Sequence, residues 1–360
     1  MKKNLLFIAM AALTIASCSK DQDKGINRGR AIDFRTAVET RASEVTINNL
    51  TSIYVQAIKA NGESLFNIGQ EFTKNGSFFT SSPAYFWPGE NDEVSFYAYA
   101  PSQADLGAAG AVTIDNTTKE FKDYAPNSVI EKQKDFITAN AKGKKSVNEK
   151  IGVPLKFDHR LSQIEVKAKN SNANYTYKVV GVRIGKAVSK GTFNFETAAW
   201  TLGTDKANYV ASETDYGTPK QLNTTAVSMM LSDGDNAMLL PQQLVAWDSA
   251  NDKANAKGGA YIALKLQITS VGGARMYPSA VAGDYGWVAV AIDTKWEAGK
   301  KYVYTLDFTN GAGKVDPEKP TPVDPKDPFN PGDDVFGEPI KFTVDISDWD
   351  TTTPEISVGM

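Results

Sequence analysis

Histidine occurs once in the 360 residues, at His159, flanked by Asp158 and Arg160. A His beside an Asp can act as a general base, but no Ser or Cys nucleophile can be assigned to it by motif. The competing reading is a structural or partly exposed side chain near a domain junction. Zinc sites need clusters of His and Cys, and this chain has one of each. No glycine loop followed by Lys offers to cradle a phosphate. Asp233-Gly234-Asp235-Asn236 faintly resembles a calcium loop, yet it lacks the spaced oxygen ligands and terminal Glu and reads better as a polar turn. Trp87, Trp247 and Trp287 could stack on sugars or could pack in a core, and they alone keep a ligand-binding reading open. The residues predict no catalysis, no metal and no cofactor.

The one cysteine carries a clearer signal. Lys2 and Lys3 precede an apolar stretch, Leu5 to Ile15, that is too short to span a bilayer as a helix. Ile15-Ala16-Ser17-Cys18 resembles the lipobox of bacterial lipoproteins, with small residues for a signal peptidase and a thiol for a diacylglycerol thioether. A signal peptide over 1–17 and lipidation at Cys18 are expected. No second run approaches about 18 apolar residues, so lipid is the only membrane attachment the sequence supports. With Cys18 lipidated no disulfide can form, and stability must come from burial and hydrogen bonding. Ser19-Lys20-Asp21-Gln22-Asp23 resembles the export tract of surface lipoproteins of Bacteroides-like organisms, which implies the outer face of the outer membrane; a plain solvated tether is the alternative. Loss of Lys2 and Lys3 takes the net charge from −3 to −5. Acidic and basic residues stay interspersed, so nucleic acid is not an expected partner.

The elements are strands. Ile53, Val55 and Ala57 alternate with polar residues before an Asn61-Gly62 turn, and Asn75-Gly76 repeats the turn signal before Phe78-Phe79. Val94, Phe96 and Ala98 alternate with Ser95, Tyr97 and Tyr99. In the second half Ile164, Val166 and Ala168 oppose Gln163, Glu165, Lys167 and Lys169, which predicts a strand with one wet, charged face. Further strands are expected at 175–184, 191–195, 238–240, 261–268, 286–292 and 301–308. Many short strands with Gly-rich turns predict an all-β protein of two sandwiches divided near 150–158. Six of the sixteen prolines fall between Val315 and Asp334, which predicts a semi-rigid spacer. Beyond it Ile340, Phe342, Val344 and Ile346 alternate with polar residues and Trp349 follows. Such a strand must bury its apolar face on something.

In order along one chain, several short motifs resemble the fimbrillin-like lipoproteins of Bacteroidales, the Mfa-like and FimA-like pilins. They are the lipobox at Cys18, Ile32-Asp33-Phe34 with Thr40-Arg41-Ala42 after it, Phe96-Tyr97-Ala98-Tyr99, Phe157-Asp158-His159-Arg160-Leu161-Ser162, Leu240-Pro241-Gln242, Gly299-Lys300-Lys301-Tyr302, and Ile340-Lys341-Phe342 with Trp349. The resemblance implies two tandem transthyretin-like β-sandwich domains, a Pro-rich linker and a C-terminal strand. The expected map is 1–17 signal peptide, 18–41 lipidated tether and removable N-terminal strand, 42–155 and 156–314 sandwiches, 315–334 linker, and 335–360 C-terminal strand segment. It also implies a structural or adhesive fimbrial subunit, cut by an Arg-specific protease between Arg41 and Ala42 (Arg35 is the lesser candidate) and polymerised by strand exchange. Other fimbrial subunits, the outer membrane through lipid on Cys18, and a host or bacterial surface ligand are the implied partners. Ile340, Phe342, Val344 and Ile346 form the candidate donor strand, and they share an Ile-x-Phe pattern with Ile32-Asp33-Phe34. A monomeric surface lipoprotein that binds glycan is the alternative.

Overall fold

The computed structural model describes residues 30–36, 50–66, 69–107, 111–211, 216–232, 234–279, 283–319 and 328–349, with the backbone of 356–359. Strands dominate these residues, with one short helix, α1 (Lys145–Asn148). The first half lays down β1 (Phe34–Thr36), β2 (Ser52–Lys59), β3 (Gln70–Asn75), β4 (Phe78–Thr80) and β5 (Val94–Ala100). It leaves that sheet for β6 (Val112–Ile114) and β7 (Lys119–Tyr124), then returns with β8 (Ile137–Gly143), β9 (Val153–Leu155) and β10 (Asp158–His159). The resulting eight-stranded sheet has the order β10-β8-β5-β2-β3-β4-β1-β9.

The second half contains β11 (Ser162–Lys169), β12 (Tyr175–Val188), β13 (Gly191–Asn194), β14 (Ala199–Leu202), β15 (Lys206–Val210), β16 (Lys220–Gln221), β17 (Val227–Ser228) and β18 (Ala237–Leu239). There follow β19 (Tyr261–Ser270), β20 (Arg275–Tyr277), β21 (Gly286–Ala291), β22 (Lys300–Asp307), β23 (Lys314–Val315), β24 (Lys341–Asp348) and β25 (Ile356–Gly359). One sheet runs β17-β11-β22-β24-β25 and another β15-β12-β19-β21-β23. Their facing sides share a core that includes Ile164, Val166, Val182, Leu264, Tyr304 and Val344.

A fourth sheet, β14-β13-β7-β6, takes strands from both halves. Its apolar face, with Phe121, Phe193 and Phe195, packs in one cluster with Tyr97 and Tyr99 of β5. The opposite face of β5, Val94, Phe96 and Ala98, lies in the first sheet's own core. β5 is therefore covered on both sides, which explains why its second face is Tyr rather than charged. The two halves are joined by backbone hydrogen bonding as well as by covalent linkage.

Two sequence expectations change here. The face of β11 read as wet is partly enclosed: Gln163 and Glu165 are buried. Glu165 is tolerated there because Lys301 stands 2.9 Å and Lys167 3.7 Å away. The segment expected as a spacer over 315–334 is also not free at its described ends. Val315 lies in β23, paired with Val288 of β21, and Asp316 and Val315 are buried. The outgoing and returning legs bond to each other, Val315 N–H to the Asp333 carbonyl at 2.8 Å and Gly332 N–H to the Val315 carbonyl at 3.0 Å. Proline forbids only its own donor, and residues flanking the proline run, Val315 and Gly332, supply these bonds. The legs meet at Gly311 and Gly337, where a Cβ on Gly311 would stand 1.8 Å from the Glu338 carbonyl oxygen. Arg183, lying over the Trp287 ring at 4.5 Å from its centroid, forms an ion pair with Asp316 that fixes the outgoing leg. Burial works hardest against the guanidinium's charge, but Asp316, Tyr261 and Glu318 together outweigh it and the pKa of Arg183 is raised.

Candidate assembly site

Strand β1 is an interior strand. β4 flanks it antiparallel, with Phe34 opposite Phe79, and β9 flanks it parallel, from Phe34↔Val153 to Thr36↔Leu155. Ile32 and Phe34 have no exposed surface. The Phe34 ring meets Phe72 and Phe96 edge-on, with centroids 4.8 and 5.1 Å away. The chain before it is held by Ile32 N–H donating to the Tyr85 carbonyl at 2.7 Å, and Val153 N–H donates to the Asp33 carbonyl at 2.9 Å. Burial pushes the Asp33 carboxyl above its usual pKa, against a smaller lowering by Arg30. Arg35 points outward, yet its backbone pairs with Pro154 inside the ladder. A protease needs an extended, accessible chain, which disfavours Arg35 as a cleavage point. Cys18, Arg41 and Ala42 lie outside the described residues.

The candidate donor residues sit in the chain's own sheet. β24 pairs antiparallel with β22 over its whole length, from Lys300↔Asp348 to Asp307↔Lys341. Ile340 and Val344 are buried in the second core, Phe342 is half-buried against Tyr304, and Ile346 is 36% exposed. β25 continues the sheet outward, with Ile346↔Ile356 and Thr343↔Gly359. The C-terminal element is thus a hairpin with an integral inner strand and an outer one. No local sequence signal separates the two roles, because the short run 356–359 reads like any β segment.

Several motifs that are far apart in sequence meet where the halves join. His159, in β10, has its Nδ1 2.7 Å from Asp135 Oδ2, and both side chains are buried. The Trp349 indole lies flat on the imidazole, centroids 4.4 Å apart and planes 7° from parallel. Trp349 N–H donates to the Gly299 carbonyl at 2.8 Å, while Gly299 N–H donates to the Leu161 carbonyl at 2.9 Å. Arg160 donates from Nε to Thr138 Oγ1 at 2.6 Å, and the Trp200 indole N–H donates to the Arg160 carbonyl at 2.7 Å. Gln242 closes the other end: its Oε1 accepts the Val188 N–H at 2.7 Å. Asp135 and Trp200 belong to no motif in the sequence, and topology alone brings them here. The imidazole is packed under an indole and tied to a carboxylate, which is a structural role.

Of the three tryptophans that could have served as sugar platforms, Trp87 and Trp247 are buried, and Trp287 lies against Arg183. Asp233 lies outside the described residues. Among the described residues no group of His, Cys, Asp and Glu could hold a metal ion. No described helix is long and apolar enough to cross a membrane.

The described residues form an all-β architecture with a buried strand near the N-terminal end and an outlying C-terminal hairpin. Residues 40–349 match the model of the fimbrillin-like family, and the chain belongs to that family. Among curated proteins it is similar to the fimbrium subunit Fim1C of Phocaeicola vulgatus, 25% identical over 364 aligned positions that cover 88% of this chain and 94% of that one. Among solved structures it shares the fold of a fimbrial protein from Bacteroides vulgatus, with TM-score 0.56 and 14% identity, covering 89% of this chain and 99% of that one. The family is structural, and this chain is a fimbrial or adhesion subunit rather than an enzyme.

Proposed function

We propose that this subunit is exported as a lipoprotein anchored through Cys18 at the outer membrane, cut between Arg41 and Ala42, and polymerised by strand exchange. In this reading the two halves, 42–155 and 156–314, are transthyretin-like units, and loss of β1 opens a groove between β4 and β9. The C-terminal hairpin of another subunit then fills it. The observation that carries the proposal is the burial of Ile32 and Phe34 in an interior strand whose covalent link to the later strands of its sheet runs through residues 37–49. A segment so placed can be excised by one cut, and the vacancy exposes aromatic surface and unpaired backbone, both costly in water. Ile340 and Phe342 stand two residues apart, as Ile32 and Phe34 do, so they can enter the same pockets. An adhesion target on a host or bacterial surface fits the same role.

The test is ladder-forming gels and electron microscopy of cells producing the wild type, Cys18→Ala, Arg41→Ala and a chain truncated after residue 338. Polymers are expected from the wild type alone, with Arg41→Ala held as monomer and Cys18→Ala unlabelled by a fatty-acid analogue. Equal polymerisation by the truncated chain would sink the donor role.

A further inference from the structure

The junction beneath the C-terminal hairpin contains two polar atoms without partners. Among the described residues the Trp349 indole nitrogen and Asp135 Oδ1, both buried, have no hydrogen-bond partner. Each forfeits the solvation it would have in water, a cost that native proteins usually avoid. Both would recover it if Trp349 swung outward, because the indole N–H would reach water and water would reach the carboxylate. The apolar burial of Trp349 and its stacking on His159 oppose that motion. The contact is therefore held less firmly than a 5% exposed tryptophan would suggest.

We propose that Trp349, His159 and Asp135 form a releasable latch that holds the C-terminal hairpin in cis, and that protonation of His159 tightens it. Neutral imidazole offers the indole only a stacked apolar face. Imidazolium in the same place adds a cation–π attraction and a charge-assisted bond to Asp135 Oδ2. Charges near the ring in sequence or across the joint include Asp158 and Arg160, paired with each other at 3.1 Å, and Lys300 with Asp348 beside Trp349. Each of these pairs is neutral, and Asp135 is the carboxylate in direct contact with the ring. Acid closes the latch and neutral pH loosens it. That the released hairpin then fills a neighbour's groove rests on the strand-exchange reading above, whereas the latch itself does not.

Hydrogen exchange on the full-length chain in detergent tests this, at pH 5 and pH 8 after correction for intrinsic rates. The Trp349 amide reports the latch and the β12–β19 ladder serves as internal reference. In the wild type the Trp349 amide should open less often at pH 5, by on the order of fivefold. His159→Phe keeps a ring beneath the indole and should lose the difference, as should His159→Gln, which guards against a folding defect in the first. Trp349→Ala should speed exchange at both pH values without affecting β12–β19. The latch is overturned if His159→Phe and His159→Gln keep the wild-type pH dependence, or if Trp349→Ala opens the reference ladder equally. Polymer formation is scored separately, so a confirmed latch without polymers would refute strand exchange alone.

Discussion

Truncating Phe34 to Ala isolates what the N-terminal strand contributes. The side chain is fully enclosed, and two edge-on aromatic neighbours at 4.8 and 5.1 Å leave the site little room to collapse. Buried Phe→Ala changes cost about 3–5 kcal/mol, a large share of the roughly 5–15 kcal/mol that holds a domain folded. Arg35→Ala, one residue on and pointing to solvent, should change stability by no more than about 0.5 kcal/mol. The pair shares one strand and one backbone ladder, so the difference reports side-chain burial alone. Urea unfolding of the full-length chain, followed by tryptophan fluorescence, should shift the first transition of Phe34→Ala down by roughly 1–5 M, given slopes of about 1–3 kcal/mol per molar. A peptide spanning residues 30–36 should restore part of the loss when added in excess. If Phe34→Ala and Arg35→Ala unfold together, β1 does not carry the first core and the groove argument collapses.

Asp33→Asn should hold β1 more firmly at neutral pH. The folded-state pKa of Asp33 is raised by burial, so its contribution favours docking below the unfolded value of about 3.9 and is lost as pH rises through the folded one; an Asn variant whose β1 amides exchange no slower at pH 7 would contradict this. Val344→Asp should unfold the second sandwich rather than merely block polymers, because it forfeits about 1.5–3 kcal/mol of burial and places a charge in the core; a cooperative, wild-type-like melt would show β24 to be dispensable. Arg183→Met should release the leg that carries Asp316, detectable as faster exchange at the Asp316 amide, now bonded to the Trp287 carbonyl; unchanged exchange would mean that the ion pair does not hold it.

Much of this fold could be read from alternation. β2, β5, β11, β19 and β22 all fall where apolar residues recur every second position, and the turns at Gly62 and Gly76 have the positive φ that Asn-Gly predicts. What alternation could not disclose is which side of a strand has a second cover. Tyr97 and Gln163 look like surface residues in a one-sided pattern, yet both are buried, Tyr97 because the fourth sheet lies over it. The fourth sheet escaped for a related reason: β6, β7, β13 and β14 are three to six residues long, too short to reveal a period. Proline density erred in the opposite direction at the described ends of 315–334, where donors flanking the prolines, Val315 and Gly332, tie the chain down. The Ile32 and Phe34 pair was legible as a strand, but its interior place depends on parallel pairing with β9, more than a hundred residues away.

If the subunit is cut as proposed, that parallel pairing sets a condition on when the cut can be made. Among the described residues β9 has only β1 as a partner, so excision of one short strand orphans a second that remains covalently attached. A cut subunit awaiting its replacement would carry Val153 and Leu155 on a segment with no ladder to join, beside the newly open edge of β4. Such edges invite pairing with whatever strand arrives first. Under the proposed strand exchange the dangerous interval is the one between proteolysis and refilling, and it would be shortest where the next subunit is already waiting. Cleavage that precedes arrival at the growing fibre would yield clumps; cleavage timed to delivery would yield a filament.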